Sequence, residues 1–508
     1  MHWLWYLFLP LILYLCFLFA ADMRALYRTF KYKSQGFKWK YVPVAGQVSL
    51  FLPNKKKPND GMANFKAGIG QAEDYPGLVI NDTRSGTALI YLTDLALIKE
   101  FFIKEPDVCV RAEQEDLKFS FSFFYNSNER AVAHRMIFSE MFRVDNIETN
   151  IPLIKEVSDK HFSNLVTAEE GSKVVDFIDI STGVLKELAD GILFGSREEC
   201  PRVEDEQKTL VTEKVFQTIK ELSSMKAILN PLNLLLFGYP NSMNLLPGSR
   251  DAAGKAELCK AAIEKCYNKR AEDPKYKLGV NILDLMIKNN KSEGEHKFTM
   301  TDITGDMALF LFAGSDSTSK TLMTCIYMLG KHPEIAEQIY KDIDSLGLAK
   351  STVKFEDLDK SDWLNAFLKE CLRLKSPAPA SFDRKLLKNF KLGKYDFTAG
   401  DKIVIPYCYL HTTSKFFSAG ENFDVKQFMG EEAKKIQQTS YIPFGAGKRM
   451  CLGRLLAETI LKISIISLLS KYSLWVDPAD QNSWTLGVGV DIGHCKVKCT
   501  PRDNSISK

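Results

Sequence analysis

The stretch Tyr441–Ala457, YIPFGAGKRMCLGRLLA, constrains this chain more than any other. It sets one cysteine, Cys451, between glycines and basic residues, with an apolar helical pattern from Leu452 onward. A free cysteine is most often an inert core thiol. It can also be a nucleophile or a metal ligand. No base-bearing motif lies nearby to support a nucleophile. Zinc is poorly supported as well, because the chain has no CxxC pair and no His-x(3–5)-His. What stays open beside the core thiol is a lone thiolate that binds a cofactor bringing its own remaining ligands, and haem iron meets that description.

The spacing is F-x-x-G-x-R-x-C-x-G, carried by Phe444, Gly447, Arg449, Cys451 and Gly453. Gly447 permits a tight turn. The helix starting after Cys451 can stabilise a thiolate through its N–H groups and dipole. This pattern resembles the haem-binding loop of the cytochrome P450 superfamily. The resemblance implies haem b with Cys451 as axial ligand, Arg449 on a propionate, and Gly453 leaving room for the porphyrin face. It implies a mainly helical α+β fold with small β-sheets around a buried haem. It also implies a thiolate that favours O–O cleavage.

At 508 residues with 45% apolar side chains, the chain can build one large enzymatic domain. A net charge of +4, without a basic patch interleaved with aromatics, argues against a nucleic-acid partner. The eleven cysteines lack a framework spacing, which suggests reduced thiols in a cytosolic environment. His2–Ala21 is an uncharged apolar run, long enough to span a bilayer as a helix. Arg24, Arg28, Lys31, Lys33, Lys38 and Lys40 follow it and predict a cytosolic body. A cleaved signal peptide is the competing reading, weakened by the absence of an N-terminal charge. The expected division is an anchor over 1–23, a basic, proline-containing linker over 24–60 and a catalytic domain over 61–508.

Along the body, Leu78–Ile80 and Ala88–Tyr91 read as strands, and Thr93–Phe102 as a helix. Phe119–Tyr125, FSFSFFY, fits a buried strand; in the family it is a loop over the haem, which makes Phe121, Phe123 and Phe124 substrate-pocket candidates. Asn128–Phe142 is helical. Arg135 matches a family arginine that reaches a propionate, while Ala131 stands where the family has tryptophan. His134 or Arg130 could take that role; the plainer reading of both is an exposed helix face. Leu229–Tyr239 fits a buried turn or a second membrane-dipping surface and is too short to span.

Thr299-x-x-Asp302 reads as a capping box opening a helix. The apolar run after it meets Ala313-Gly314-Ser315-Asp316-Ser317-Thr318 and then resumes. Glycine and back-bonding hydroxyls loosen a helix, so the letters fit either one interrupted helix or two helices parted at Gly314. The hexad resembles the family's A-G-x-D-T-T, which implies an acid and a hydroxyl that manage protons. Asp316, Ser317 and Thr318 are the catalytic candidates, with serine at the usual threonine position. Ala313 and Gly314 are expected to line the pocket.

Glu370 and Arg373 lie at i, i+3 on an amphipathic helix, Trp363–Leu374. Such pairs are usually surface salt bridges; the resemblance implies instead a buried structural pair, E-x-x-R. Downstream, Arg384 matches another propionate-binding arginine, and Ala380 is a pocket candidate. The family's F-x-P-x-R-F is here Phe423–Phe428 with Gln427 in place of arginine, so Gln427 is expected to donate to Glu370 from a weaker anchor. Trp484–Val490 and Cys495–Cys499 read as one terminal hairpin, and Val488 is the last pocket candidate.

The reading is a monooxygenase of a microsomal, membrane-anchored type. It inserts one atom of O2 into a lipophilic substrate with electrons from an NADPH-dependent flavoprotein reductase, with cytochrome b5 as a further electron donor. The expected place is the endoplasmic reticulum membrane, with a basic face at Lys448, Arg449 and Arg454 toward the reductase. Two alternatives stay open: a haem-thiolate isomerase or dehydratase acting on peroxides, and a non-catalytic haem sensor.

Overall fold

The computed structural model describes residues 2–42, 61–82, 85–111, 129–167, 169–204, 207–222, 247–350, 353–486 and 490–502. Phe121, Phe123, Phe124, Val488, the 229–239 segment and residues 43–60 of the expected linker lie outside them.

Helix α1 (His2–Ser34) runs unbroken through the boundary expected at residue 23. Its second half is no linker: Ala21, Ala25 and Tyr32 are buried against a sheet. There Asp401, itself fully buried, accepts from Arg28 (2.8 Å), from the Tyr32 hydroxyl (2.8 Å) and from the Ala88 amide (3.0 Å). β1 (Lys38–Lys40) then joins that sheet. The linker reading of 24–42 is therefore corrected. Basic residues there are spaced so that one helix face docks while another carries charge.

The sheet has six strands in the order β1-β2-β3-β9-β6-β4, with β2 (Gly77–Asp82), β3 (Thr87–Leu92), β4 (Cys109–Arg111), β6 (Arg384–Leu386) and β9 (Lys402–Val404). β2 and β3 pair as an antiparallel hairpin, and every residue of both is buried. α2 (Gly61–Gly70) and α3 (Leu95–Val108) lie in sequence on either side of this hairpin. A smaller sheet sets β13 (Lys496–Pro501) between β10 (Tyr472–Trp475) and β5 (Lys173–Asp176). Two pairs stand on their own, β7 (Phe390–Leu392) with β8 (Tyr395–Phe397) and β11 (Trp484–Leu486) with β12 (Val490–Ile492). The expected single terminal hairpin is thus two separate pairings. Alternation of buried and exposed residues along β13 suits the core-facing sheet, where Cys499 and Val497 point inward.

The helical body comprises α4 (Glu129–Ser139), α5 (Val144–His161), α6 (Phe177–Phe194), α7 (Val211–Leu222), α8 (Pro247–Glu272), α9 (Ile282–Lys291), α10 (Met300–Lys331), α11 (Pro333–Ser345), α12 (Asp362–Lys375), the short α13 (Tyr407–Leu410) and α14 (Gly430–Lys435), and α15 (Arg454–Leu469). Its spine is α10, about 48 Å long at 1.5 Å per residue. The Thr299–Asp302 capping box is present at its start. One core gathers Ile303, Met307, Leu309 and Leu311 with α6, α8 and α9. Another gathers Leu322, Cys325, Ile326 and Leu329 with α5, α12, α15 and the smaller sheet. The polar hexad falls on the seam between them.

Candidate active site

α10 is one helix through the hexad, not two. Its hydroxyls bond back rather than break it: Ser317 Oγ donates to the Ala313 carbonyl at 2.7 Å and Thr321 Oγ1 to that of Ser317 at 2.9 Å. Ala313 and Gly314 are exposed in the middle of an otherwise packed helix, and a Cβ on Gly314 would meet nothing within 4 Å. Thr318 is buried and Ser317 is half-buried, so of the two hydroxyls Ser317 is the accessible one.

Asp316 is not a free acid. Lys320 Nζ lies 2.8 Å from its Oδ2 and 2.9 Å from Asp491 Oδ1 on β12. Burial lowers the Lys320 pKa, but Asp316 and Asp491 outweigh it and leave the ammonium raised. Sequence reasoning passed over Lys320 because its second partner comes from the far end of the chain.

The cysteine loop is built on two left-handed glycines, Gly445 (φ +72°) and Gly447 (φ +70°). At Gly447 a Cβ would also stand 3.1 Å from the Phe102 carbonyl. A 3-10 turn over Gly447–Arg449 follows, and the Cys451 amide donates to the Phe444 carbonyl at 2.8 Å. α15 begins at Arg454 rather than Leu452, with Gly453 as its N-cap. Phe444 packs against the main core from below this turn. The outcome is an exposed Cys451. Cys109, Cys200, Cys408 and Cys499 are buried instead, and burial pushes each of these thiols up to about 12. They are inert; Cys451 is accessible.

Three arginines surround the loop. Arg135 on α4 donates to the Met450 carbonyl; burial lowers its pKa and Cys451 opposes that. Arg384 on β6 is buried and donates from Nε to Glu105 Oε1 and from Nη1 to the Phe382 carbonyl at 2.9 Å. Arg449 turns inward too, with Nε 3.5 Å from Glu105 Oε1. The expected basic outer face therefore keeps Lys448, which is exposed, and the half-buried Arg454, but loses Arg449. Ala131 is buried in the helical core. Neither suggested substitute for its missing tryptophan is available: Arg130 pairs with Asp302, and His134 is buried against Phe298 at 4.0 Å.

The scaffold beneath the loop is fully buried. Arg373 Nε and Nη2 each stand 2.7 Å from a Glu370 oxygen, and the guanidinium also donates to the His411, Gly420 and Asn422 carbonyls. Glu370 accepts from the Asp424 amide at 2.7 Å and from Gln427 Nε2 at 2.9 Å. Replacing Gln427 with leucine is expected to cost about 1.5–3 kcal/mol, the worth of a hydrogen bond to a charged group; the shift in thermal midpoint measures it.

His411 links scaffold to loop. Its Nε2 accepts from the Ile442 amide at 3.0 Å, so the ring is neutral with its proton on Nδ1. Burial, with Arg373 adding to it, pushes its pKa down to about 3. The unfolded chain takes up that proton near pH 6.5 and the folded chain does not. Stability is therefore expected to fall with pH from about 6.5 down to about 3, by up to ~1.4 kcal/mol per unit. Denaturant midpoints measured across the upper part of that window should slope less steeply in His411→Gln than in the wild type.

The residues present fit a flat, doubly anionic macrocycle with an open metal position: an accessible thiol, a bare stretch of helix on the packed neighbour α10, and three guanidinium groups. Ala380 is partly buried against the core on the sheet. The "Cytochrome P450" family description matches residues 69–489. The chain belongs to the cytochrome P450 family. Among curated P450s it is 26% identical to cytochrome P450 3A6 of Oryctolagus cuniculus over 344 residues, 67% of each chain. It is 25% identical to cytochrome P450 3A5 of Homo sapiens over 67% of this chain and 66% of the other. It is 31% identical to cytochrome P450 4V2 of Mus musculus over a shorter stretch, 42% and 39%. P450 membership implies a haem-thiolate cofactor, and Cys451 is the exposed thiol in the motif that would ligate it.

Besides Lys320, two residues that matter here were missed in the sequence. Glu105 had a readable signal: it sits on the buried stripe Leu97, Ile98, Phe101, Val108 of α3, a charge at an apolar position. His411 had none, since its partners are set only by the fold.

Proposed function

We propose that this P450 is a haem-thiolate monooxygenase acting on a lipophilic organic substrate, with electrons from NADPH through a reductase. The observation that carries the reading is the accessible Cys451 in its glycine-built loop, joined by the exposed Ala313–Gly314 stretch of α10, a helix that packs on α15 directly after that loop. When bound, haem supplies oxygen activation. The chain supplies the rest. Cys451 would supply the thiolate that ligates it. Arg135, Arg384 and Arg449 would hold the propionates. Ala313 and Gly314 leave space for substrate, and Ser317 passes protons from the Asp316 side. The packed cores on either side exclude water.

The apolar N-terminus of α1 is read as a single-pass anchor in the endoplasmic reticulum membrane. Support comes from Phe19, Met23, Tyr27 and Phe30, apolar side chains exposed at helical spacing on the part of α1 that is described. Among the described residues, no helix is long and apolar enough to cross a membrane. The reductase is assigned to the face of Lys448 and Arg454, with Val132 and Met136 exposed nearby in sequence to Arg135.

The ion pair at Asp316 favours one second reading, a peroxide isomerase or dehydratase, because it engages the acid on which oxygen activation relies. Labelled dioxygen decides between them. Reductase- and NADPH-dependent incorporation of one labelled atom into product is expected; peroxide rearrangement without reductase would replace the monooxygenase reading.

A further inference from the structure

Glu105 is fully buried, and no part of the proposed chemistry uses it. Its Oε1 accepts from Arg384 and faces Arg449 at 3.5 Å. Its Oε2 is buried without a hydrogen-bond partner among the described residues. A buried carboxylate with an unmet oxygen is costly, so its retention between two guanidinium groups calls for a reason.

We propose that Glu105 is a positioning residue: it fixes Arg384 and Arg449 side by side so that both are preset for the two propionates of haem. The inference rests on reading this site as a haem site. Arginine side chains free to rotate lose that freedom when they grip a carboxylate; side chains already held do not. Glu105 takes the Nε edge of each arginine. Arg384 Nη2 keeps no hydrogen bond among the described residues, which leaves it to meet a propionate.

Removing the carboxylate has two opposed effects. It frees the arginines, which speeds haem release. It also removes a negative charge near the propionates, which slows release. The direction of change therefore separates positioning from simple charge. Holoprotein is mixed with excess apomyoglobin and haem transfer is timed. Glu105→Ala is expected to release haem about tenfold faster or more, the size of losing a charge-assisted hydrogen bond. Glu105→Gln, which keeps an acceptor for Arg384, is expected to fall between Glu105→Ala and wild type. Ile98→Val, a core truncation on the same helix about two turns from Glu105, should release haem at the wild-type rate. Release from Glu105→Gln that is unchanged or slower overturns the proposal, as does equal acceleration by Ile98→Val. A wild type without the red-shifted thiolate band removes the haem-thiolate reading itself; the band with unaltered release in Glu105→Gln removes this inference alone.

Discussion

Glu370→Ala is expected to yield little or no folded, haem-loaded protein. The variant leaves Arg373 fully buried with its charge unmatched. Breaking one side of such a pair costs about 3–5 kcal/mol, a large part of the ~5–15 kcal/mol that holds a typical domain together. The three carbonyls around Arg373 satisfy its donors but bring no negative charge. The loss also spreads. Glu370 is the acceptor for the Asp424 amide and Gln427, so its removal strands both. The pair itself is not a large store of stability: burial pushes the Glu370 carboxyl up, and Arg373 with the other donors only partly reverses that. The damage comes from the unmatched charge and the stranded donors that one missing partner leaves behind. Soluble yield and haem content report the effect, and Glu370→Ala should be far more damaging than Gln427→Leu. Comparable yields for these two variants would show that the charge is relieved in a way the packing does not suggest.

Cys451→Ser is expected to do the opposite: abolish the chemistry and spare the fold. The thiol is exposed, so its loss opens no cavity, and the Cys451 amide still holds the loop to the Phe444 carbonyl. Stability should change by no more than about 0.5 kcal/mol, as for surface substitutions away from special features. The reduced, carbon monoxide-treated spectrum should lose its strongly red-shifted Soret band, and substrate oxidation should fall to background. A Cys451→Ser variant that keeps the band would place the ligand elsewhere. Together the two substitutions separate residues that hold the site from the one that gives it reactivity.

Local chemistry wrote much of this protein into its sequence. The cysteine loop was legible because a left-handed turn demands glycine, and Gly445 and Gly447 both adopt it. The α10 capping box was legible because it is closed within four residues. The Gln427 bond to Glu370 followed from a family pattern with two letters changed, proline to Val425 and arginine to Gln427. Long-range choices were not legible. Whether the hexad broke α10 was settled by the two cores that clamp its ends, which outweigh the weak propensity of a glycine. The fate of 24–42 was settled by Asp401, a buried anion hundreds of residues downstream. Cys499 belongs to β13, which starts just after Cys495 and whose partners are β10 and β5, because alternation shows that a strand exists but not what it pairs with. The same limit applies at the site. Sequence determined which residues could serve, namely the thiol, the acid, the hydroxyl and the arginines. Only tertiary structure decided that Arg449 turns inward to Glu105 and that Lys320 binds Asp316 to Asp491. Charges find partners by distance in space, and burial raises the cost of leaving any of them without one.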